Sequence, residues 1–327
     1  MNLEEDVQSG QATGLNRLQF EHNPLPEIDL ADVDGRLTFL GRPLKSPILI
    51  SSMTGGTPGA RRINRTLAEA AQLHGVALGI GSQRAAIETP SLAETFQVRD
   101  LAPDILLLAN LGAVQLNYGY DASHCRRAVE MIGADALVLH LNALQEALQP
   151  EGDTHFGGLL RRIEAVCRAL EVPVIAKEVG WGISADAARR LVEAGVAAID
   201  VAGAGGTSWS QVEMHRARDD HQRNLAAAFR AWGLPTADAV RQVREALPDI
   251  PLIGSGGLRD GLDIAKCIAL GADLGGMAGP FLRSAAVSVE AVSDALRLAT
   301  AEVRTAMFAT GSRTLADLRR ARLLPHP

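Results

Sequence analysis

The stretch Pro251–Leu282, PLIGSGGLRDGLDIAKCIALGADLGGMAGPFL, decides the fold. A short apolar strand, Leu252–Ser255, ends in Gly256 and Gly257, and a helical pattern follows over Asp260–Leu270. A second strand, Leu274–Met277, ends in Ala278 and Gly279, and Pro280 opens another helix. Glycines at the carboxyl end of a strand let backbone N–H groups approach a ligand closely. A helix beginning just beyond adds donors and a positive dipole end. Two such grips on successive strands make a phosphate-binding cradle, as after the seventh and eighth strands of many (β/α)8 barrels.

Working outward, strand and helix signals alternate from Pro47 onward. The strands are Ile48–Ser51, Val76–Ile80, Ile105–Ala109, Ala136–Leu141, Val174–Lys177 and Ala198–Val201, ahead of the two already quoted. Helical patterns over Ala60–His74, Ser123–Ile132, Phe156–Leu170, Ser184–Ala194 and Thr236–Leu247 separate most of them. Eight strand–helix units with right-handed crossovers close into an α/β (β/α)8 TIM barrel. The expected organisation is one domain over 1–327, with an N-terminal arm over 1–46 and an insertion over 203–234 between the sixth strand and its helix. Within the arm, Leu37–Leu44 reads as a hairpin turning at Gly41, a device that often plugs a barrel bottom. The segment Gln211–Gly233 carries charges of both signs and reads as a solvated surface loop, with a lid or a subunit contact as its alternative.

Composition agrees with a barrel core of small aliphatic residues: 47% hydrophobic, 4% aromatic and 32 glycines in 327 residues. A net charge of −6 argues against a nucleic-acid binder, which would show a basic face. Cys125, Cys167 and Cys267 form no CxxC pair and read as reduced packing residues. The acidic opening MNLEEDVQSG is unlike a signal peptide, and no apolar run reaches membrane-spanning length, so a cytoplasmic protein is expected.

Polar residues collect at the strand C-terminal ends, where barrel active sites form. Alternation along the fourth strand puts Val138, His140 and Asn142 on one face and Leu137, Leu139 and Leu141 on the other. The leucines suit the outer helices, so His140 and Asn142 point into the barrel mouth, with Gln145 and Glu146 one turn on. Lys177 ends the fifth strand. A lysine inside a barrel must meet an anion, whether a ligand or Glu178 or Asp200. Ser82 and Asn110 end the second and third strands and could donate to a planar ring. Thr207 and Ser208 offer further contacts.

Seven motifs now stand in order: SMTGG (Ser52–Gly56), GSQR (Gly81–Arg84), NLG (Asn110–Gly112), HLNALQE (His140–Glu146), KEVGWGIS (Lys177–Ser184), DVAGAGGTSW (Asp200–Trp209) and GSGGLRDG (Gly254–Gly261). In this register the chain resembles the type 2 isopentenyl-diphosphate isomerases, FMN-dependent (β/α)8 enzymes, over nearly its whole length from Leu3. The resemblance implies that Ser52, Met53, Thr54, Ser82 and Asn110 line the flavin ring, with Lys177 at its pyrimidine edge. Thr207, Gly256, Gly257, Leu258, Ala278 and Gly279 would hold the ribityl phosphate. Ser82, Gln83 and Arg84 would bind the substrate diphosphate, and His140, Asn142 and Gln145 would contact substrate. Glu146 would bind Mg2+, NADPH would reduce the FMN, and Gln145, His140 and Lys177 would carry catalysis. The implied partner is isopentenyl diphosphate, without nucleic acid or membrane, and the implied assembly is a tetramer or octamer.

One departure stands out. Members of that family open with a basic segment of the type R-K-x-x-H that grips the diphosphate. This chain opens Met1–Asn2–Leu3–Glu4–Glu5–Asp6, and its first lysine is Lys45. A missing basic segment is therefore expected, and with it normal FMN binding but weak turnover. The implied reaction moves a proton across an allyl unit, and reduced FMN would supply what Gln145 and a metal-bound Glu146 lack. The rival on the same barrel is a flavin oxidoreductase of the hydroxy-acid oxidase type. It would need a His–Arg pair near the sixth and seventh strands, where the chain instead reads AGAGGTSW.

Overall fold

The structure, a computed structural model, describes residues 6–326; Met1–Glu5, on which the expected missing basic segment bears, lie outside the described residues. Eight parallel strands close into a barrel. They are β1 (Ile48–Ile50), β2 (Ala77–Gly79), β3 (Leu107–Gly112), β4 (Ala136–Leu141), β5 (Val174–Glu178), β6 (Ala198–Asp200), β7 (Leu252–Ser255) and β8 (Leu274–Met277). Each pairs with its sequence neighbour, and β8 pairs with β1 through Gly276↔Leu49. Parallel strands need a crossover, and here amphipathic helices supply it. The helix Pro58–His74 shows the local logic. Thr57 Oγ1 accepts from Ala60 N–H at 3.1 Å, Pro58 takes the first helical position, and left-handed Gly75 ends it.

Strand alternation divides the core in two. Leu137, Leu139, Ala176 and Ile199 face outward onto the helices. Leu49, Leu108, Val138, Ile175 and Ile253 face inward, and Phe39 and Leu44 join them. These two come from the hairpin Leu37–Phe39 and Arg42–Leu44, which stoppers the N-terminal end of the barrel. The hairpin seals the bottom of the barrel, and the site forms at the other end. Near the termini, Leu18–Phe20 pairs antiparallel with Leu323–Pro325, and the long helix Val289–Ala309 packs on Pro58–His74.

Two expectations change. β3 runs to Gly112 rather than ending at Ala109, because Asn110–Gly112 pair with Val138–His140 of β4. The segment expected as a solvated loop over Gln211–Gly233 instead forms two helices, Trp209–Arg216 and Asp220–Ala228. Its polar residues are not all in water: Gln211 and Glu213 are buried. The first of these helices packs on the short helix Ala143–Leu148 that follows β4.

Candidate active site

The C-terminal ends of the strands surround a cavity of about 630 Å³, within the usual range of about 300–1,000 Å³ for small-molecule sites. One wall is backbone. Gly256 (φ +103°) and Gly257 (φ +75°) end β7 in conformations that L residues avoid. A Cβ on Gly256 would lie 2.1 Å from Gly203 O, and one on Gly257 would lie 2.5 Å from the Gly205 carbonyl. The loops after β6 and β7 thus stack main chain on main chain. Thr236, fully buried, pins them: its hydroxyl donates to Gly256 O at 2.6 Å. Thr207, Leu258, Ala278 and Gly279 complete this side, with Arg259 and Arg283 beside them.

The opposite wall is polar. His140 Nδ1 meets Asn110 Oδ1 at 2.8 Å. An amide oxygen only accepts, so Nδ1 carries the proton and Nε2 keeps a free lone pair. Burial, helped by the Lys177 charge, pushes the imidazole down to about 4, so it is neutral near pH 7. A Cβ on Gly112 would come 3.2 Å from His140 Nε2, so a glycine here leaves the ring its room. Gln83 holds this pair in place: its Oε1 accepts from Asn110 N–H at 3.0 Å and its Nε2 donates to Ala128 O at 2.8 Å.

After β4 the chain builds a linked set of side chains. Asn142 Nδ2 donates to Glu146 Oε1 at 2.7 Å, and Asp153 N–H donates to Glu146 Oε2 at 2.7 Å. Gln145 Nε2 donates to Glu213 Oε1 at 3.2 Å. Asn142 Oδ1 and Ser51 Oγ, both of cavity-lining residues, are buried with no partner among the described residues. Such orphaned atoms cost stability unless a ligand or water satisfies them.

Lys177 fixes the charge of the floor. Its Nζ donates to Glu178 O at 2.7 Å and lies 4.0 Å from Asp200 Oδ2. Burial raises the Asp200 carboxyl, while Lys177 and the Ser255 hydroxyl, at 2.5 Å, pull it back. Glu178 turns away from the cavity. Its Oε2 accepts from the N–H groups of Val179, Gly180 and Trp181, and burial still pushes it up to about 7.

Of the residues singled out in the sequence, Ser52, Met53, Ser82, Arg84, Asn110, His140, Asn142, Gln145, Glu146, Lys177 and Thr207 all line the cavity, as do the five around Gly256 and Gly279. Two do not. Gln83 is fully buried behind Asn110, so its side chain cannot reach a diphosphate; its amide is spent on the wall. Thr54 turns off the lining, and its carbonyl accepts from Asn64 Nδ2 at 3.2 Å. Arg84 is at the mouth but already paired, with Glu88 at 2.8 Å and Asp153 at 2.9 Å. Asn110, expected beside a flavin ring, spends its Oδ1 on His140. The lead missed in the sequence is Glu213, a carboxylate at 3% exposure inside a segment whose charges read as solvated. An EMHR run, with Glu213 and Arg216 three residues apart on the same helix face, was its only sequence signal. Among the described residues no three His, Cys, Asp or Glu side chains converge as a metal cage, and no helix is long and apolar enough to cross a membrane.

A family model described as FMN-dependent dehydrogenase matches residues 122–325. The isopentenyl-diphosphate delta-isomerase of Nostoc sp. is 55% identical over 318 residues, spanning 97% of this chain and 91% of that protein. The one from Rickettsia bellii is 52% identical over 323 residues, 99% of this chain and 94% of that protein. Among solved structures, a mandelate oxidase with benzoyl-formic acid superposes with a TM-score of 0.70 at 21% identity, covering 98% of this chain and 92% of that one. At that identity the likeness speaks for the barrel alone.

Proposed function

The chain belongs to the isopentenyl-diphosphate delta-isomerase family, and from that premise we propose that it interconverts isopentenyl and dimethylallyl diphosphate by a 1,3-proton shift. FMN is the cofactor that the family match carries. The residues fit it: a wall of bare main chain at Gly256 and Gly257, where a Cβ would strike the neighbouring loop, buried oxygens of Ser51 and Asn142 without a partner among the described residues, and a lysine on the floor. Gly256, Gly257, Leu258, Ala278, Gly279 and Thr207 would hold its phosphate, and Ser52, Met53, Ser82, Asn110 and Lys177 would face its ring. Bound and reduced, FMN supplies an electron-rich aromatic face and an acid–base position that no side chain here offers.

The chain's own residues do the rest. Lys177, half-buried against Asp200, places a positive charge where a low dielectric strengthens it. His140 serves as a neutral acceptor through Nε2, and Gln145, aimed by Glu213, orients the substrate at the β4 edge. Glu146 would take Mg2+, a hard cation suited to carboxylate oxygen, and the metal with Arg84 would offset the diphosphate charge. Arg84 must then exchange Asp153 or Glu88 for the ligand. NADPH as the reductant, and a tetramer or octamer as the working assembly, belong to the same reading and rest on the resemblance.

One observation carries this proposal over an oxidase: the β4 edge, with His140, Asn142, Gln145 and Glu146, faces the same cavity as the glycine cradle. A hydroxy-acid oxidase would need a His–Arg pair near the sixth and seventh strands, and after Asp200 the stretch Ala202–Trp209 holds neither. The test is an anaerobic assay of FMN-loaded protein with reductant, Mg2+ and isopentenyl diphosphate. Many molecules of dimethylallyl diphosphate should form per reductant consumed. Reductant used one for one with product would support the oxidoreductase instead.

A further inference from the structure

At the N-terminal end of the barrel, opposite the active site, a second cavity of about 440 Å³ opens. It lies between Lys45 and Ser46 ahead of β1, the end of the helix Pro58–His74, and the middle of Val289–Ala309. Its charges are of one sign. Lys45, Arg297 and Arg304 line it beside the His74 imidazole, and no acidic side chain does, in a chain with 38 acidic against 32 basic residues. One cation beside a helix C-terminus is ordinary dipole complementation. Arg297 and Arg304 come from the interior of a different helix, so that account does not cover them.

The cations are held in place, and among the described residues Arg297 alone of the three arginine and lysine side chains has an ion-pair partner, Asp294. Among the described residues the Lys45 ammonium makes no ion pair. Its stem is pinned across Gly75, where a Cβ would meet Lys45 Cδ at 2.8 Å, and its N–H donates to Gly75 O at 2.9 Å. Arg304 uses one Nη2 bond on Leu30 O at 3.0 Å, and Arg297 shares its guanidinium with Asp294. Burial together with the charges of Arg297 and Lys45 lowers His74, the behaviour of an imidazole in a positive field. The Thr300 and Ser46 hydroxyls, 3.5 Å apart, supply neutral donors at the base. At the rim, Leu73 and Leu30 are 62% and 47% exposed.

We propose that this pocket is a second ligand site, taking a phosphate or diphosphate group on Lys45, Arg297 and Arg304, with an apolar tail across Leu30 and Leu73. Cation donors and hydroxyls fit phosphate oxygens by charge-assisted hydrogen bonds. Two exposed leucines beside them fit a tail and not a bare ion.

Calorimetric titration of the FMN-loaded protein with inorganic diphosphate tests the headgroup, because it counts sites without needing turnover. The parent should show two sites. Lys45→Ala with Arg297→Ala should weaken one by about 30-fold or more and leave kcat/KM for isomerisation within about twofold. Arg84→Ala should weaken the other site. Thr300→Trp, which fills the base without changing a charge, should abolish the same site as the double variant and serves in its place if that fails to fold. A long-chain alkyl diphosphate should bind this site about tenfold more tightly than inorganic diphosphate, and Leu73→Ser should remove the difference. Equal affinity for ester and inorganic ion would overturn the tail. A parent in which no diphosphate site is lost on Thr300→Trp would overturn the proposal.

Discussion

Glu213 holds Gln145: the side-chain amide of Gln145 donates to a carboxylate oxygen of Glu213 at 3.2 Å, and Glu213 itself is buried. The pair joins the β4 edge to the helical insertion after β6. Arg216 Nη1 stands 3.5 Å from the same carboxylate, so the charge is held from both sides.

Replacing Glu213 by Ala should therefore unfix Gln145 and leave the cofactor in place. A hydrogen bond to a charged group is worth roughly 1.5–3 kcal/mol, which sets a fall in kcat of about 10- to 150-fold. Gln145→Ala should lower kcat by a similar factor, and the double variant should be little worse than either single one, since both remove one interaction. Isomerase kinetics with FMN absorbance as the control checks this, and additive losses would separate the two residues.

Gly256→Ala should strip FMN. The new Cβ would meet Gly203 O, and φ of +103° is itself unfavourable for alanine. Left-handed strain costs roughly 1–2 kcal/mol before the clash is counted, so FMN affinity should drop at least tenfold and Tm should fall. Gly279→Ala is the control: there a Cβ meets nothing nearer than Arg283 Nη1 at 3.4 Å. Fluorescence titration of FMN into the two apoproteins distinguishes them.

His140 makes stability depend on pH. Its folded value, about 4, lies below the usual value of 6.5. Between these the unfolded chain binds the proton and the folded one does not, so stability is present above about 6.5 and is lost as pH falls toward 4. His140→Gln keeps a side chain at the site without the titration. Tm of the parent should fall more steeply than that of the variant across this window, and parallel curves would show that His140 is not the group responsible.

Glu146→Gln should blunt the response to Mg2+. The amide is a poorer ligand for a hard cation, and its NH2 group would face Asn142 Nδ2 or Asp153 N–H, both donors. Mg2+ needed for half-maximal rate should rise about tenfold or more, taking one charge-assisted bond as the loss. Rate measured against Mg2+ at fixed substrate reads this directly, and an unchanged curve would move the metal elsewhere.

The barrel was legible because each strand announces itself twice, by an apolar run and by the polar residue that ends it. β4 shows this: Leu137 and Leu139 face the helices, and His140 and Asn142 reach the cavity, as alternation requires. Gln83 misled because a polar residue after a strand can face either way. The one-residue step from Ser82 turns it behind Asn110, and sequence does not carry that turn. Glu213 was hidden for a different reason. The charges around it do stand in solvent, and only contact with the helix Ala143–Leu148 takes one of them into the cavity wall. A local pattern cannot register a partner so far away along the chain. Thr236 is a similar case, a helix-start threonine whose hydroxyl binds another loop.

The interlock of Gly203, Gly205, Gly256 and Gly257 bears on how this barrel could be re-engineered. Neither loop is a free cassette, because each is the mould in which the other is cast. A library that varies one while freezing the other would sample mostly collapsed proteins. Grafting a different cofactor preference onto this scaffold would call for exchanging both loops at once, together with Thr236, as a single three-part module.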